Sequence, residues 1–375
     1  MPRRIVVLHE FSAWQNGNHV HACINLLKGM VAHGGDVHLD LPRTRVDMGE
    51  VPYRASIPWP ISRFGLPRLE PALRRAAGRR FLARLRDGDI AWLWTATPLD
   101  IYEELRRRGN PIVQEVINTR VAYSRRILSA IHDAEGLPPP PSKSNNKAER
   151  EDTYLGMVDH AFASSPAIEA SLRAEDSTFR GTLLPTSYGA FMPVDPPVER
   201  EGTGPVTVLF VGTLSVRKNV QGLLRAWARA DTGDARLKLV GPMTPEIRQL
   251  CATELQLPSV EAEGSFVTDL DSIYRSADVF VIPSHEEGDP RVTYEAMGYG
   301  LPIIASPMGG GRAADWTDAI HVIDPTDPDD IAAALTRFVQ DAALRTEYRA
   351  RSRAAAPKFD WLAVGGDRLR QLQAI

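Results

Sequence analysis

The chain has 375 residues, a length that suits two domains rather than a single core. Its composition, with 43% hydrophobic and 24% charged residues, is typical of a folded globular protein. A formal net charge of −3 argues against a protein that binds nucleic acid or an anionic membrane through bulk positive charge. No apolar run approaches the roughly 18 residues of a membrane helix, and the opening MPRRIVVLHEF has too short an apolar stretch for a signal peptide, so a cytoplasmic location is expected.

Cysteine and metal patterns exclude further classes of protein. Cys23 and Cys251 are the only cysteines. They are too few for a disulfide framework or a cysteine-based metal site, and both are expected to be buried thiols. The HExxH, P-loop and EF-hand patterns do not occur either. The sequence therefore predicts no metal site and no bound cofactor.

The start of the chain predicts an alternation of strands and helices. A strand at 4–8, a polar loop at 9–18, a helix at His19–Ala32 and a second strand at 36–41 open the chain. In a doubly wound sheet, such a loop at the carboxyl end of a strand borders a ligand crevice. The loop lacks the G-x-G-x-x-G dinucleotide fingerprint, and its Gly17 is either a turn glycine or a point of close approach to a ligand.

Two less regular segments follow. Residues 42–68 are rich in Pro, Trp and Arg, lack periodicity and are predicted to form a loop. Residues 70–86 predict an amphipathic helix rich in arginine, which could dock on an anionic membrane or a phosphorylated acceptor. Because most basic residues of the whole chain are arginines, an ordinary solvated helix face is the favoured interpretation.

The alternation continues through the rest of the chain. In the first half, strands are predicted at 89–94, 111–116, 161–164 and 181–185, helices at 99–108, 149–156 and 166–172, and a Pro-rich loop at 132–147. A Pro-rich linker at 193–205 then precedes a second series. Its strands are predicted at 206–211, 236–240, 260–263, 278–282, 301–305 and 319–323, and its helices at 221–230, 246–255, 270–276, 328–339, 344–356 and 361–372.

The stretch 277–306, ADVFVIPSHEEGDPRVTYEAMGYGLPIIAS, organises the second series. It predicts a strand, a loop, a short helix and another strand. Asp289 can cap the helix through its carboxylate, Pro290 suits the first helical position, and Gly300 ends the helix. The free N–H groups at such a helix start favour an anion such as a phosphate.

Two carboxylates, Glu287 in the loop and Glu295 on the helix, flank the helix start and can face one ligand from two sides. Taken by itself, the spacing E-x7-E usually means two solvated side chains. The surrounding PSHEEGDPRVTYEAMGYGLPIIAS, however, resembles nearly throughout the signature of retaining glycosyltransferases of family 4, PS-x-x-E-G-F-P/G-x-x-x-x-E-A-M-A-x-G-x-P-V-I-A-S.

The resemblance implies the GT-B fold, in which two facing Rossmann-like doubly wound domains enclose a deep cleft. Residues 1–195 would form the acceptor-binding domain and 204–358 the donor-binding domain, with the terminal helix 361–375 packing back on the first. The implied reaction transfers a sugar from a nucleotide diphosphate donor to an acceptor, with retention and without a divalent metal. Front-face attack usually explains such retention, and the alternative makes Glu287 a covalent nucleophile.

A second motif lies at 210–219, FVGTLSVRKN, and resembles the family's V-G-x-L-x-x-x-K-N. There, Lys218 and its basic neighbour Arg217 would hold the donor phosphates, since fixed cations stabilise the charge that develops on a departing diphosphate. Many members have Arg where this chain has Thr213, so Arg217 would supply part of that charge. Without the resemblance, the two cations would be interpreted as a surface pair.

The resemblance also implies which residues touch the donor. Gly17 would approach the diphosphate, and Phe266 and Val267 would line the nucleobase, although Phe266 equally suits a core position. Glu295 would bind the ribose hydroxyls while Glu287 faces the sugar. The implied donor-binding set also includes the loop and helix-start residues Gly288, Asp289, Pro290, Arg291 and Val292.

This chain departs from the family pattern at several positions. Asp289 stands where an apolar aromatic is common, so that either Asp289 and Arg291 tune the choice of donor or Asp289 is only a helix cap. Several members carry a histidine near the sugar where this chain has Ile117, followed by Asn118. The Gly-rich segment 307–311 could approach a phosphate or sugar closely.

Other functions are compatible with the same scaffold, because fold alone does not determine the reaction. A sugar epimerase or phosphorylase is the alternative enzyme, and a nucleotide-sugar-binding protein without transfer activity is the alternative outside catalysis. The combination of Glu287, Glu295, Arg217 and Lys218 argues against lost donor chemistry. The expected partners are a nucleotide-sugar donor and a small-molecule or glycan acceptor, with no nucleic acid.

Overall fold

The computed structural model describes residues 3–12, 19–57, 67–94, 97–140, 145–195, 204–264 and 269–375. Within these residues the strands form two sheets, and neighbouring strands pair in parallel in both. Parallel sheets need a crossover between successive strands, and helices supply most of these crossovers here. The predicted α/β class with two doubly wound sheets is confirmed.

The first sheet occupies the first half of the chain. Its strands are β1 (Ile5–Leu8), β2 (Val37–Leu41), β3 (Tyr53–Ala55), β4 (Ile90–Leu93), β5 (Ile112–Val116), β6 (His160–Ala163) and β7 (Thr182–Pro185). The accompanying helices are α1 (His19–Ala32), α2 (Glu70–Arg84), α3 (Leu99–Arg108), α4 (Val121–Ala134), α5 (Asn145–Leu155) and α6 (Pro166–Arg173). The central strand β1 is the apolar run IVVL and is fully buried, as expected when helices cover both faces of a sheet.

The second sheet is built in the same way. Its strands are β8 (Thr207–Val211), β9 (Arg236–Val240), β10 (Val260–Glu263), β11 (Val279–Ile282), β12 (Ile303–Ala305) and β13 (Ile320–Val322). Its helices are α7 (Val220–Arg229), α8 (Pro245–Leu250), α9 (Leu270–Arg275), α10 (Arg291–Gly298), α11 (Pro307–Trp316), α12 (Pro328–Gln340) and α13 (Ala342–Ala355), and the chain ends in α14 (Trp361–Gln373).

The strand orders place a crevice in each sheet. The first runs β3-β2-β1-β4-β5-β6-β7 and the second β10-β9-β8-β11-β12-β13. In both, the order reverses beside the first strand, so the connections leaving β1 and β4, or β8 and β11, turn to opposite sides. Ligands of open α/β sheets bind outside the carboxyl ends of the strands at such a point.

Some elements differ from the prediction. β3 lies within the segment predicted as a loop, and α4 was not predicted at all. β3 has only three residues, pairs with the edge of β2 and is largely exposed, so no burial pattern marks it in the sequence. The Gly-rich segment at 307–311 starts helix α11, capped by the hydroxyl of Ser306, which accepts a hydrogen bond from the Gly309 amide at 2.9 Å.

Helix α14 crosses from the second sheet to the first. Immediately before it, Phe359 stacks on Tyr294 of α10, with ring centroids 4.5 Å apart. The helix then packs on α1, where an added Cβ at Gly365 would lie 2.6 Å from the carbonyl oxygen of Leu26. One hydrophobic cluster therefore extends through this helix from one domain into the other.

Candidate active site

The loop between β11 and α10 is buried, although a glutamate-rich loop would ordinarily be solvated. β11 ends at Ile282, and the loop that follows carries the fully buried Ser284 and Glu286 and the almost completely buried Glu287. Burial of a carboxylate is costly unless cations and hydrogen bonds compensate it. The contacts of these two glutamates therefore define the site.

Glu287 is held by groups from two elements. Its Oε1 accepts a hydrogen bond from Ser284 Oγ at 3.0 Å and contacts Lys218 Nζ, and its Oε2 lies 3.4 Å from Arg217 Nη2. The structure thus brings together the three residues predicted to be catalytic. Arg217 retains 37% of its side-chain exposure and Lys218 retains 14%, so both cations keep a surface that a ligand can reach.

The two cations occupy a short 3₁₀ turn, Val216–Lys218, that follows β8. Asn219 ends this turn in the left-handed region at φ 55°, which asparagine tolerates better than most residues, and its side chain donates to the Pro325 carbonyl at 2.7 Å. The His285 amide donates to the Arg217 carbonyl at 3.0 Å. This backbone contact joins the turn to the glutamate loop and fixes the cations opposite the carboxylates.

Glu286 was not predicted as a site residue, yet it is fully buried and contacts both domains. Its Oε2 accepts from Arg217 Nε at 2.5 Å, and its Oε1 accepts from Thr119 Oγ1 of the first domain at 2.7 Å. Burial disfavours the charged form of Arg217, but Glu287 and Glu286 outweigh it and raise the pKa of the guanidinium. The only sequence signal for Glu286 is its place beside Glu287 in HEEG.

Gly288 fits the site because the first domain approaches it closely. An added Cβ there would lie 2.2 Å from the Ile117 carbonyl oxygen, which is closer than van der Waals contact allows. No side chain can occupy this position without moving the loop after β5. The predicted donor loop and the loop at 117–119 are therefore in direct contact.

The predicted helix cap at Asp289 is wrong. Pro290 is the N-cap residue of α10 and makes no side-chain cap, and the helix begins at Arg291. The Asp289 carboxylate instead accepts hydrogen bonds from the Tyr188 amide at 2.7 Å, the Tyr294 hydroxyl at 2.5 Å and the Arg312 amide at 3.2 Å. Burial raises its pKa to about 6, and these hydrogen bonds oppose that rise.

Helix α10 carries the remaining donor candidates that the structure describes. Glu295 Oε2 accepts from the Tyr274 hydroxyl at 2.9 Å, and Glu295 Oε1 lies 4.0 Å from Arg291 Nη2. Arg291, Val292 and Glu295 are only partly buried, so each presents surface to solvent. Gly17, Phe266 and Val267 lie outside the described residues, and their roles stay predictions.

The first domain forms a cavity of about 620 Å³ beside the contact with the donor loop. Ile117, Asn118 and Thr119 belong to its wall, as do His19 of α1 and residues of α5 such as Lys147. Asn118 Oδ1 and His19 Nε2 are buried there and have no hydrogen-bond partner within the described part of the chain. Polar atoms of this kind suit a hydroxylated ligand. The sequence placed Ile117 near the sugar by resemblance, but it did not predict this cavity.

Further polar groups lie at the same edge of the first sheet. His9 Nδ1 accepts from the Phe11 amide at 3.1 Å, which assigns the proton to Nε2, and burial lowers the pKa of His9. Burial raises the pKa of Glu10 to about 7, although Arg74 and Arg150 oppose the rise. Among the described residues, neither His9 Nε2 nor Glu10 Oε1 has a hydrogen-bond partner.

The arginine-rich helix α2 is engaged within the molecule to a considerable extent. Arg80 and Arg84 lie 3.5 and 3.4 Å from the carboxylate of Asp40, which is fully buried. The Arg74 guanidinium lies over the Phe11 ring at 4.8 Å. Three arginines of α2 therefore contact other parts of the molecule, and the interpretation of α2 as an ordinary solvated helix face stays a prediction.

Metal clusters and membrane-spanning helices are both absent from the residues that the structure describes. No group of three or more His, Cys, Asp or Glu side chains there is arranged to hold a metal ion. Over the same residues, every helix is too short or too polar to cross a membrane.

Comparison with known proteins identifies the second domain. Residues 205–341 match the profile of the family described as Glycosyl transferases group 1. A D-inositol 3-phosphate glycosyltransferase of Thermomonospora curvata is 38% identical over 165 residues, which are 40% of this chain and 37% of that protein. The chain thus spans about two fifths of the length of the curated relatives it matches.

Solved structures resemble the whole chain. The sucrose-phosphate synthase of Thermosynechococcus elongatus superposes with a TM-score of 0.69 at 20% identity, over 99% of both chains. Anabaena Alr3699/HepE, solved in complex with UDP and glucose, superposes with a TM-score of 0.66 at 16% identity, over 99% of this chain and 100% of the other. The GT-B fold and the family resemblance expected from the sequence are confirmed.

Proposed function

We propose that this chain, whose second domain is a glycosyl transferases group 1 domain within a GT-B fold, transfers a sugar from a nucleotide diphosphate sugar to a small-molecule or glycan acceptor. The proposed transfer retains the anomeric configuration, needs no metal ion and takes place in the cytoplasm. The donor would bind at the second sheet, and the acceptor in the cavity of the first domain.

The observation that carries this proposal is the cation pair beside Glu287. Arg217 and Lys218 are fixed at the carboxyl edge of the second sheet, and both keep an exposed surface. Preorganised cations in a partly desolvated cleft stabilise negative charge as it develops, without reorganisation during the reaction. A departing nucleoside diphosphate is a leaving group of this kind. UDP in the solved HepE complex supports a nucleotide donor.

The proposed step is balanced without an added base. The bond between the anomeric carbon and the donor phosphate oxygen breaks, and a bond to the acceptor oxygen forms on the same face of the sugar. The acceptor's proton passes to the departing phosphate oxygen. Arg217 and Lys218 stabilise the diphosphate, and the Glu287 carboxylate supports the positive charge that develops on the ring.

Front-face attack is favoured over a covalent intermediate on Glu287. Lys218, Ser284 and Arg217 all contact this carboxylate. A carboxylate engaged by two cations is a weak nucleophile, because bond formation to carbon would require it to give up those contacts. The same contacts orient the Glu287 carboxylate, which suits an electrostatic role.

A nucleotide-sugar panel tests the proposal. The purified chain is incubated with UDP- and GDP-sugars, and its melting temperature and the release of UDP or GDP are measured, because ligand binding to the native state raises stability. The anomeric configuration of the product, determined by NMR, tests retention. Absence of both a melting shift and nucleotide release across the panel would overturn the proposal.

The same panel separates the alternatives. An epimerase changes the sugar without releasing nucleotide, a phosphorylase requires phosphate as the acceptor, and a binding protein shows a melting shift without turnover. EDTA is expected to leave turnover unchanged. Complete loss of turnover in EDTA, restored by Mg²⁺ or Mn²⁺, would show that the metal-independent mechanism is wrong.

A further inference from the structure

Glu286 connects the two predicted substrate sites. It is fully buried, and each of its carboxylate oxygens serves a different domain. Oε2 accepts from Arg217 Nε at 2.5 Å, and Oε1 accepts from Thr119 Oγ1 at 2.7 Å. Thr119 belongs to the wall of the acceptor cavity, and Arg217 belongs to the predicted diphosphate site.

The contact with Glu286 determines how Arg217 is presented. Glu286 binds Nε, and Glu287 lies 3.4 Å from Nη2. Within the described part of the chain, the Nη1 amino group makes no hydrogen bond, and the side chain remains 37% exposed. A guanidinium fixed on one edge offers its other donors in a set direction, which is the geometry that phosphate oxygens bind best.

Stability alone gives little reason for a glutamate at this position. An ion pair made by a buried carboxylate usually contributes no more to stability than apolar residues of similar size would. The resembling family pattern, PS-x-x-E-G, leaves this position open. A buried carboxylate here is accounted for if orientation of Arg217, rather than stability, is its contribution.

We propose that Glu286 is a positioning residue that directs Arg217 toward the donor diphosphate and, through Thr119, couples that cation to the wall of the acceptor cavity. This inference rests on the proposed glycosyl transfer. The steric contact of Gly288 with Ile117 holds the same two loops together. The hydrogen bond of Thr119 therefore orients Glu286 at an interface between the domains that exists without it.

The variants Glu286→Gln, Thr119→Val and Thr119→Ser test the inference. UDP and GDP binding is measured by calorimetry, and release of UDP or GDP from the sugar nucleotides is measured with water as the acceptor. Glu286→Gln removes a negative charge near the diphosphate, so nucleotide binding is expected to be unchanged or tighter. Turnover is expected to fall about tenfold to a hundredfold, because a misplaced catalytic group loses rate without losing binding.

Thr119→Val keeps the shape of the side chain but removes the hydroxyl. Turnover is expected to fall roughly tenfold at unchanged nucleotide affinity, and Thr119→Ser is expected to restore it. Glu135→Gln is the matched control, since Glu135 also joins the domains, by two 2.9 Å contacts with Arg225. It is expected to leave binding and turnover unchanged.

The outcomes distinguish a failure of this inference from a failure of the proposed function. A wild type that neither binds nor turns over any nucleotide sugar overturns the proposed function. An active wild type whose Glu286→Gln or Thr119→Val variant keeps full turnover overturns the inference alone. Equal loss of turnover in Thr119→Ser would also overturn it, because Ser keeps the hydroxyl that the inference requires.

Discussion

Two buried carboxylates at the edges of the two sheets each pair with an arginine, and the two arginines differ in how much of the side chain is exposed. Glu115, at the end of β5, accepts from Arg368 Nη1 of α14 at 2.6 Å, and both side chains are 0% exposed. Arg368 also donates to Thr186 Oγ1 at 3.0 Å and to the Ser187 carbonyl at 2.9 Å. Its guanidinium is engaged on several sides by the protein itself.

Glu287 in the second domain has a similar partner in a different setting. Its side chain is 7% exposed, but that of Arg217 is 37% exposed. The first arrangement encloses both charged groups, while the second leaves the side chain of its cation partly exposed. The exposure of the cation, rather than the burial of the carboxylate, thus distinguishes a structural ion pair from a candidate substrate site.

The largest expected effect is on stability, from breaking the fully buried ion pair of Glu115 and Arg368. Arg368→Leu leaves Glu115 buried without its cation, and the free energy of unfolding is expected to fall by about 3–5 kcal/mol. Urea unfolding followed by tryptophan fluorescence measures the change. Arg370→Leu, on the exposed side of the same helix, is the control and is expected to change stability by less than about 0.5 kcal/mol. Similar destabilisation by both variants would refute the assignment.

The next largest expected effect is on catalysis, from removing the charge of Glu287 beside the partly exposed Arg217. Glu287→Gln keeps the size of the side chain but removes the charge opposite Arg217 and Lys218. The expected result is a kcat lower by an amount equivalent to roughly 2–4 kcal/mol. Steady-state kinetics on the best donor measure it, with Glu261→Gln, a partly exposed glutamate on β10, as the control. A change in donor KM alone would mean that Glu287 only binds substrate.

The third effect depends on pH and concerns Asp289. Burial raises its pKa to about 6, so the folded state favours the protonated carboxyl. The stabilisation from protonation is complete below the unfolded pKa, about 3.9, and is lost as the pH rises through the folded pKa. The unfolding free energy of the wild type, minus that of Asp289→Asn, is expected to fall by about 3 kcal/mol across this window.

Urea unfolding at several pH values measures that difference. Asp271→Asn is the control of opposite sign, because hydrogen bonds from Arg275 and Tyr299 lower the pKa of Asp271. A wild-type and Asp289→Asn difference that does not vary with pH would contradict the assignment. The same Asn variant tests donor choice, and an unchanged ranking of donor sugars would limit Asp289 to its structural contacts.

The sequence predicted those parts of the molecule that depend on short stretches of chain. Buried strands such as β1 and β11 are apolar runs, and the motifs around Glu287 and Lys218 are contiguous, so both the sheets and the cation pair were predicted. Asp289 was misassigned because its three donors include Tyr188 and Arg312, which are distant in sequence.

The same reason explains what sequence reasoning missed. Glu286 is important only in relation to Thr119, 167 positions away along the chain. The cavity of the first domain combines side chains from α1, the loop after β5 and α5, none of which forms a motif. Contacts between distant segments become visible only once the chain is folded.

The smallest expected effect concerns Glu295, which sharpens the contrast between binding and catalysis within the donor domain. Its carboxylate is held by the Tyr274 hydroxyl at 2.9 Å and is not in contact with Arg217 or Lys218. If it accepts hydrogen bonds from the ribose, the contact is equally strong in the ground and transition states. Glu295→Gln is then expected to raise the donor KM by about tenfold, equivalent to roughly 1.4 kcal/mol, and to leave kcat unchanged.

Tyr274→Phe provides the matched variant, because it removes only the hydrogen bond that orients Glu295. A smaller rise in donor KM, again without a change in kcat, is expected from it, since the carboxylate remains but is less well directed. Calorimetric titration with UDP and GDP should show the same order, because the ribose is present without the sugar. A fall in kcat in Glu295→Gln as large as that in Glu287→Gln would mean that both carboxylates act on the transition state, and the division between them would be wrong.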